Sequence, residues 1–343
     1  MKRHLNTLFV TTQGTYLAKE GECVLVRVDG ETRARIPVLS LDGIVCFGQV
    51  SYSPYLLAHC AENGVALTHL TENGRFLARM HGATTGNVLL RRTQYRWADD
   101  SERSAALASG FVVGKLHNAR YVYQRAGRDL RDEAVKAELA RTPVNLGRLI
   151  DRAAVADDLD SLRGIEGEGG AAYWHAFDNL IARRDAGFAF GGRSRRPPLD
   201  RVNCLLSFLY TILMHDVRSA LETVGLDPYV GYLHRDRPGR PSLALDLMEE
   251  FRPWLVDRLV LTLINRGQLK ASGFRTEETG GVTMSDATRK AVLTAWQQRK
   301  QETVTHPFLG EKMPVGLLWH TQSLLLARHL RGDLDGYPPL LWR

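Results

Sequence analysis

The sequence predicts an α+β protein in which an N-terminal antiparallel β domain, residues 1–85, is followed by a larger all-α domain, residues 86–343. Three observations carry this. Short β-branched runs separated by turn pairs fill the first part, and the hydrophobic spacing beyond it becomes helical. With 343 residues and 44% hydrophobic content, the chain can also bury two moderate cores.

The opening stretch MKRHLNTLFVTT reads as a first strand, since it lacks the long apolar run and small-residue cleavage site of a secretion signal. Over 8–78, the pairs Gly21-Glu22, Asp29-Gly30 and Asn73-Gly74 separate alternating segments such as CVLVRV and RARIPV. Ser53-Pro54 opens one helix within this region, which stops at Asn63-Gly64 before the strand VALTHL. After His81-Gly82-Ala83-Thr84-Thr85-Gly86 the texture changes. Helical spacing runs through 88–97, 101–125 and 128–140, and most strongly through 205–224, 243–264 and 285–301. A small hairpin is expected over 271–283, turning at Gly280-Gly281. The apolar stretch 254–264 is short and interrupted by Asp257 and Arg258, so no membrane span is expected.

Forty-five Lys and Arg against 38 Asp and Glu leave a formal charge of +7, which favours a polyanionic partner such as nucleic acid over a neutral one. The plainer alternative is a merely basic enzyme. Cys23, Cys46, Cys60 and Cys204 form no CxxC pair, so neither a zinc ribbon nor a disulfide framework is written here, and a reducing cytoplasm fits.

The most informative stretch is GYLHRDRPGRPSLALDLMEEFRP, 231–253. Ser242 is placed to cap a helix on which Asp246 lies three residues from Glu249 and four from Glu250, so that their carboxylates share a face. Leu243, Leu245, Leu247 and Met248 imply that this helix is largely packed, where uncompensated carboxylates are costly and a divalent metal would offset the cost. His234, in the preceding loop, offers an imidazole nitrogen, and such a mixed donor set suits Mn²⁺ or Mg²⁺ better than structural zinc. The alternative is a solvated helix face paired to Arg252 or a nearby lysine, with His234 an ordinary loop histidine.

A second acidic element, IEGEGGAAYW at 165–174, reads as a glycine-dense turn into a helix. Its glycines do not fit a dinucleotide fingerprint and no P-loop lysine follows. Glu166 could simply favour the positive end of that helix. The third element is basic: Arg91, Arg92 and Arg96 with Tyr95 interleaved, then Arg183 and Arg184, and Arg193, Arg195 and Arg196 before Pro197-Pro198. Arg235 and Arg240 flank the histidine loop. Phosphate contact is the natural use of such residues, although a single helical arginine often only solvates its surface.

GIEG at 164–167, LDPY at 226–229 and the 231–253 stretch together resemble the CRISPR-associated adaptation integrase family, and the resemblance extends to GNVLLRRTQY at 86–95 and the C-terminal LLLARHLRGDLDGYPPLLWR. It is similar to a branch found with type I systems. The resemblance implies that Glu166, His234, Asp246 and Glu249 are the catalytic set, with Glu166, His234 and Glu249 on the metal and Glu250 only a neighbour. It implies a metal-dependent DNA endonuclease and integrase that uses Mg²⁺ or Mn²⁺ to insert captured fragments into a repeat array by attack of a 3′-hydroxyl. It also implies a homodimer through the β domain and a small ferredoxin-like partner. Gly169 and Gly170 depart from the family pattern, at about 1 kcal/mol each relative to alanine in a helix. The tail GYPPLLW at 336–342 has exposed-looking apolar residues suited to a protein contact. Two other readings share these residues: a branched-DNA repair nuclease, and a DNA-binding scaffold without chemistry.

Overall fold

The computed structural model describes residues 6–80, 82, 87–129, 133–182 and 187–342. Arg183, Arg184 and most of the 81–86 turn lie outside them. The chain divides into two compact units, the first made of Met1–Gly86, Met284–Thr303 and Pro314–Leu317, and the second of Asn87–Thr283, Val304–Met313 and Leu318–Arg343.

Strand-rich first unit and helical remainder follow the expected order. The first unit begins β1 (Asn6–Val10), β2 (Tyr16–Glu20), β3 (Cys23–Val28), β4 (Glu31–Pro37), β5 (Leu41–Phe47), β6 (Ser51–Tyr52), α1 (Pro54–Glu62), β7 (Ala66–Leu70) and β8 (Phe76–Met80). These strands form two four-stranded sheets, β1-β5-β7-β8 and β4-β3-β2-β6. Pairing is not uniformly antiparallel, contrary to the sequence reading. Antiparallel ladders join β2 to β3, β3 to β4 and β7 to β8, but β1 with β5, β5 with β7 and β2 with β6 run parallel. The reason is connectivity: the β2–β4 meander separates β1 from β5 and α1 separates β5 from β7, and parallel neighbours need such crossovers. Ser53 caps α1 by accepting the Leu56 amide at 3.2 Å, with Pro54 at the first helical position. Leu17, Val24, Ile44, Leu56 and Leu67 are fully buried in this unit's core.

The second unit contains α2 (Val88–Asp99), α3 (Ser101–Asp129), α4 (Glu133–Val155), α5 (Leu159–His175), α6 (Arg201–Val224), α7 (Ser242–Met248) and α8 (Arg258–Asn265), followed by the hairpin β9 (Phe274–Thr276) and β10 (Val282–Met284). Gly280 takes the positive φ that the hairpin turn needs. Helix α9 (Asp286–Gln301), capped by Ser285, belongs to the first unit, where Lys300 Nζ donates to Thr7 Oγ1 at 3.0 Å and Arg289 donates to the Glu72 carbonyl. The short strands β11 (Thr303–Thr305) and β12 (Lys312–Pro314) pair before α10 (Leu318–Arg331). Among the described helices, α6 alone is long and apolar enough to cross a membrane, and most of it is buried within its own unit.

Three local expectations change. The periodic stretch 243–264 is not one helix: α7 ends at Met248, and a π-helical stretch Arg252–Asp257 precedes α8. Pro253 lacks the amide hydrogen and crowds the carbonyl four residues back, which an uninterrupted α-helix does not tolerate. Ser242 is the first residue of α7 and gives no capping hydrogen bond. The glycine-dense segment is no turn either. It lies inside α5, which has Asp158 as its N-cap, whose carboxylate accepts the amides of Asp160 at 3.0 Å and Ser161 at 2.8 Å. Gly169 has a steric purpose, because a Cβ there would come within 2.2 Å of Leu116 Cδ2 on α3. With glycine there, the buried Leu116 side chain packs directly against the backbone of α5.

The C-terminal segment packs inward. Tyr337 and Leu340 are buried, and the Trp342 ring stacks on Trp254 at 4.3 Å with 4° between the planes. Asn118 donates to the carbonyls of Glu250 and Leu340, each at 2.7 Å, and accepts the Trp342 amide at 2.8 Å. The apolar residues that look exposed in the sequence are therefore part of this unit's own core.

Candidate active site

Four segments of the second unit supply the acidic and histidine residues: α5, the loop before α7, α7 itself, and the turn after α7. On α7, Leu243, Ala244, Leu247 and Met248 are buried, so the helix is packed on most sides and its one carboxylate, Asp246, has no solvent at all. That carboxylate is satisfied by the loop. Asp246 Oδ2 accepts the amides of Tyr232 at 2.6 Å and Leu233 at 3.1 Å, while Oδ1 accepts the His234 amide at 3.0 Å and faces His234 Nδ1 at 2.6 Å. A carboxylate oxygen only accepts, so Nδ1 carries the hydrogen, and in the neutral ring Nε2 is the basic nitrogen. The loop closes this tightly because Gly231 has no side chain, and a Cβ there would lie 2.7 Å from Asp246 Oδ2. Arg163 of α5 supports the same loop by donating from Nε to the Leu233 carbonyl at 2.8 Å.

Asp246, Glu249 and Glu250 each engage different partners. Glu250 is fully buried, accepting Tyr337 Oη at 2.7 Å, the Leu340 amide at 2.8 Å and Gln322 Nε2 at 3.0 Å. Burial pushes its pKa up to about 7 against the opposing pull of those donors. Glu249 is equally buried but ionic. Arg252 Nη1 donates to its Oε1 at 2.5 Å, and Lys115 Nζ lies 2.9 Å from its Oε2. Burial alone would raise this pKa, but Arg252, then Lys115 and His234, hold it well below the usual carboxylate range. The pairing of Glu249 with Arg252, which the alternative reading placed on a solvated face, thus exists in a buried setting where charge is costly.

Glu166 sits in the second turn of α5, beyond reach of the positive helix end, whose influence fades within the first turn. Its carboxylate accepts a hydrogen bond from the same Lys115 ammonium. One cation therefore gathers two glutamates from separate elements. Sequence reasoning missed Lys115 and gave Arg252 only a surface role. No local signal marks Lys115, which stands in the middle of α3, and its meaning comes from two distant acids.

Next to this cluster opens a cavity of roughly 260 Å³, lined among others by Lys115, Arg193, Arg195, Arg196, Tyr210 and Arg252. Arg193 lies over the rings of Trp174 at 5.8 Å and Tyr210 at 5.4 Å, and Arg252 stacks on Tyr210 at 5.1 Å. Asp257 fixes that aromatic wall by accepting Tyr210 Oη at 2.5 Å and Tyr173 Oη at 2.8 Å. The other arginines fall elsewhere. Arg92 and Arg96 are exposed on α2 and Arg91 is half-buried beside them; Arg235 is exposed and paired to Asp160 at 2.9 Å, and Arg240 is half-buried.

Whether these residues suit a metal can be judged from their donors. Among the described residues, no group of three or more His, Cys, Asp or Glu side chains is drawn together into a finished cage. Two carboxylates nevertheless converge on a single positive charge, and Glu249 Oε2 is buried without a hydrogen bond of proper geometry, its neighbour being that charge. Hard oxygens beside an imidazole fit Mg²⁺ or Mn²⁺.

The fold is shared with a casposase and with Cas1 proteins of known structure. A casposase solved with its integration product superposes with a TM-score of 0.83 at 20% identity, over 98% of this chain and 94% of that one. A Cas1 protein from Thermotoga maritima superposes at 0.81 with 24% identity, over 95% and 97%. The family model described as CRISPR associated protein Cas1 matches residues 8–298. A CRISPR-associated endonuclease Cas1 of Chlorobaculum tepidum is 60% identical over the full length of both chains, and one from Rhodospirillum rubrum is 50% identical, again over both full lengths. The chain belongs to the CRISPR-associated Cas1 family and is an endonuclease of that family.

Proposed function

We propose that this Cas1 endonuclease acts as a spacer-acquisition integrase, joining the 3′-hydroxyl of a captured DNA fragment to a phosphodiester of the repeat array. The observation that carries the site assignment is the meeting of Glu166 and Glu249, from separate elements, at one cationic point. Glu166, Glu249 and His234 are the residues that would hold Mg²⁺ or Mn²⁺. When bound, that ion would polarise the phosphoryl oxygen and stabilise charge on the leaving oxygen. Asp246 acts through His234 by fixing its Nδ1 hydrogen and ring orientation, which makes it a positioning residue. Arg252 keeps Glu249 ionised. Arg193, Arg195 and Arg196, beside the cluster, are suited to DNA phosphates, and Arg91, Arg92, Arg96, Arg235 and Arg240 are candidates for more distant contacts.

The assembly belongs to the same reading. One neighbouring structure, at a TM-score of 0.81 and 22% identity, is a Cas6-RT-Cas1–Cas2 complex. A homodimer through the strand-rich unit, a small ferredoxin-like partner, double-stranded or branched DNA as ligand, a type I setting and a cytoplasmic location complete the proposal. The free thiols of Cys46, Cys60 and Cys204, all buried, suit a reducing compartment.

The test is strand transfer of a 3′-hydroxyl duplex into a repeat-bearing plasmid with the small partner present, comparing Mn²⁺ or Mg²⁺ with EDTA and wild type with His234→Ala. Metal-dependent product that the variant loses supports the reading. DNA binding without product, where an active relative integrates, would mark a scaffold, and cleavage of branched DNA without transfer a repair nuclease.

A further inference from the structure

We propose that Lys115 is an internal counter-cation standing in the place of the metal, and that it must leave the Glu166–Glu249 pair before a divalent ion can enter. This rests on the metal reading above.

Charge balance is the starting point. The carboxylates of Glu166 and Glu249 are met by the ammonium of Lys115 and the guanidinium of Arg252, so the pair is already neutral. The Lys115–Glu249 contact lies where solvent screens poorly, since the Glu249 side chain is 2% exposed and that of Lys115 15%, while Glu166, 31% exposed, forms the solvent side of the pair. A dication added to that arrangement would face the lysine at contact distance with two surplus positive charges. One cation has to go.

The structure distinguishes which. Arg252 has a second anchor in the Tyr210 ring, 5.1 Å away, and its partner oxygen on Glu249 is Oε1. Lys115 is a point charge on a flexible four-carbon stem, and it engages one oxygen of each glutamate. It also borders the 260 Å³ cavity, which has room to receive it. Displaced there, its ammonium joins Arg193, Arg195 and Arg196 as one more donor for a DNA phosphate, so that metal entry and phosphate binding favour each other. In the metal-free protein the same contact keeps two acids from repelling one another.

The experiment is Mn²⁺ titration calorimetry on the full-length chain as wild type, Lys115→Met, and each combined with Glu249→Gln. Lys115→Met is expected to bind Mn²⁺ at least about tenfold more tightly than wild type, with the Glu249→Gln change removing binding in both backgrounds. Equal or weaker Mn²⁺ binding by Lys115→Met, still dependent on Glu249, overturns the counter-cation alone. Absence of Glu249-dependent Mn²⁺ binding in either background overturns the metal reading and this inference with it. Wild-type protein gives an independent measurement should Lys115→Met fail to fold. Reductive methylation of Lys115, read by mass spectrometry, is expected to rise several-fold when Mn²⁺ is present, and labelling unchanged by Mn²⁺ rejects the displacement.

Discussion

Asp246 grips His234 at two points with one oxygen, taking its backbone amide at 3.0 Å and its ring Nδ1 at 2.6 Å. Replacing that oxygen by an amide nitrogen removes an acceptor from two donors at once. Asp246→Asn is therefore expected to lose strand transfer by about 10- to 100-fold, the usual cost of disturbing a residue that orients a ligand. DNA affinity should be unchanged in a gel-shift titration; a matching loss of affinity would mean that the whole loop had collapsed.

Gly231 closes the same loop from behind. Gly231→Ala places a methyl group 2.7 Å from Asp246 Oδ2, so the loop must shift. Activity is expected to fall as it does for Asp246→Asn, while a nearby change into open space, Gly239→Ser, should leave rates as they are despite its strained φ. Initial rates of strand transfer check both.

Neighbouring glycines of α5 should behave oppositely. Gly170 meets nothing within 4 Å, so Gly170→Ala is expected to stabilise by about 0.5 to 1 kcal/mol through helix propensity. Gly169→Ala collides with Leu116 Cδ2 and is expected to cost about 1 to 3 kcal/mol as overpacking. Urea unfolding midpoints separate the two.

The pH dependence of stability has a definite sign. Burial pushes Asp257 up to about 7 even though Tyr210, Tyr173, Arg193 and Arg252 pull it back. A carboxyl whose folded pKa is raised binds its proton more tightly in the native state, so stability is greatest below the ordinary carboxylate range and falls as pH rises toward 7. The loss between pH 5 and pH 8 is expected to be on the order of 1 to 3 kcal/mol, and it should be smaller in Asp257→Asn. Thermal unfolding of both proteins across that range checks the direction.

Tail removal should be felt in the core. Deleting 340–343 takes from Asn118 a donor and an acceptor partner and from Glu250 its amide donor. Buried groups left without partners cost about 1 to 3 kcal/mol each, so the truncated protein is expected to melt several degrees lower. An unchanged melting temperature would show that the segment is dispensable.

Much of this was legible in the sequence. His234, Asp246 and Glu249 stand in one stretch, and the leucines around them announce burial. The change of periodicity near residue 86 separates strands from helices because the two spacings differ. What stays hidden depends on contacts between distant segments. Lys115 looks like any lysine on an amphipathic helix until Glu166 and Glu249 reach it from α5 and the turn after α7. Glu250 looks like a twin of Glu249, yet its partners are residues 322, 337 and 340. The glycines of α5 read as a turn because propensity is local, whereas the need for Gly169 comes from α3.

The strand-rich unit is completed late. Its sheets are encoded at the start of the chain, but α9, which donates from Lys300 to Thr7 and from Arg289 to the Glu72 carbonyl, follows roughly two hundred residues after residue 86. On the ribosome the sheets must wait for that helix while most of the second unit is being made. A nascent chain halted before residue 284 should thus hold an N-terminal unit open to proteases, and the gain of resistance on release would time the moment at which the two ends of the unit meet.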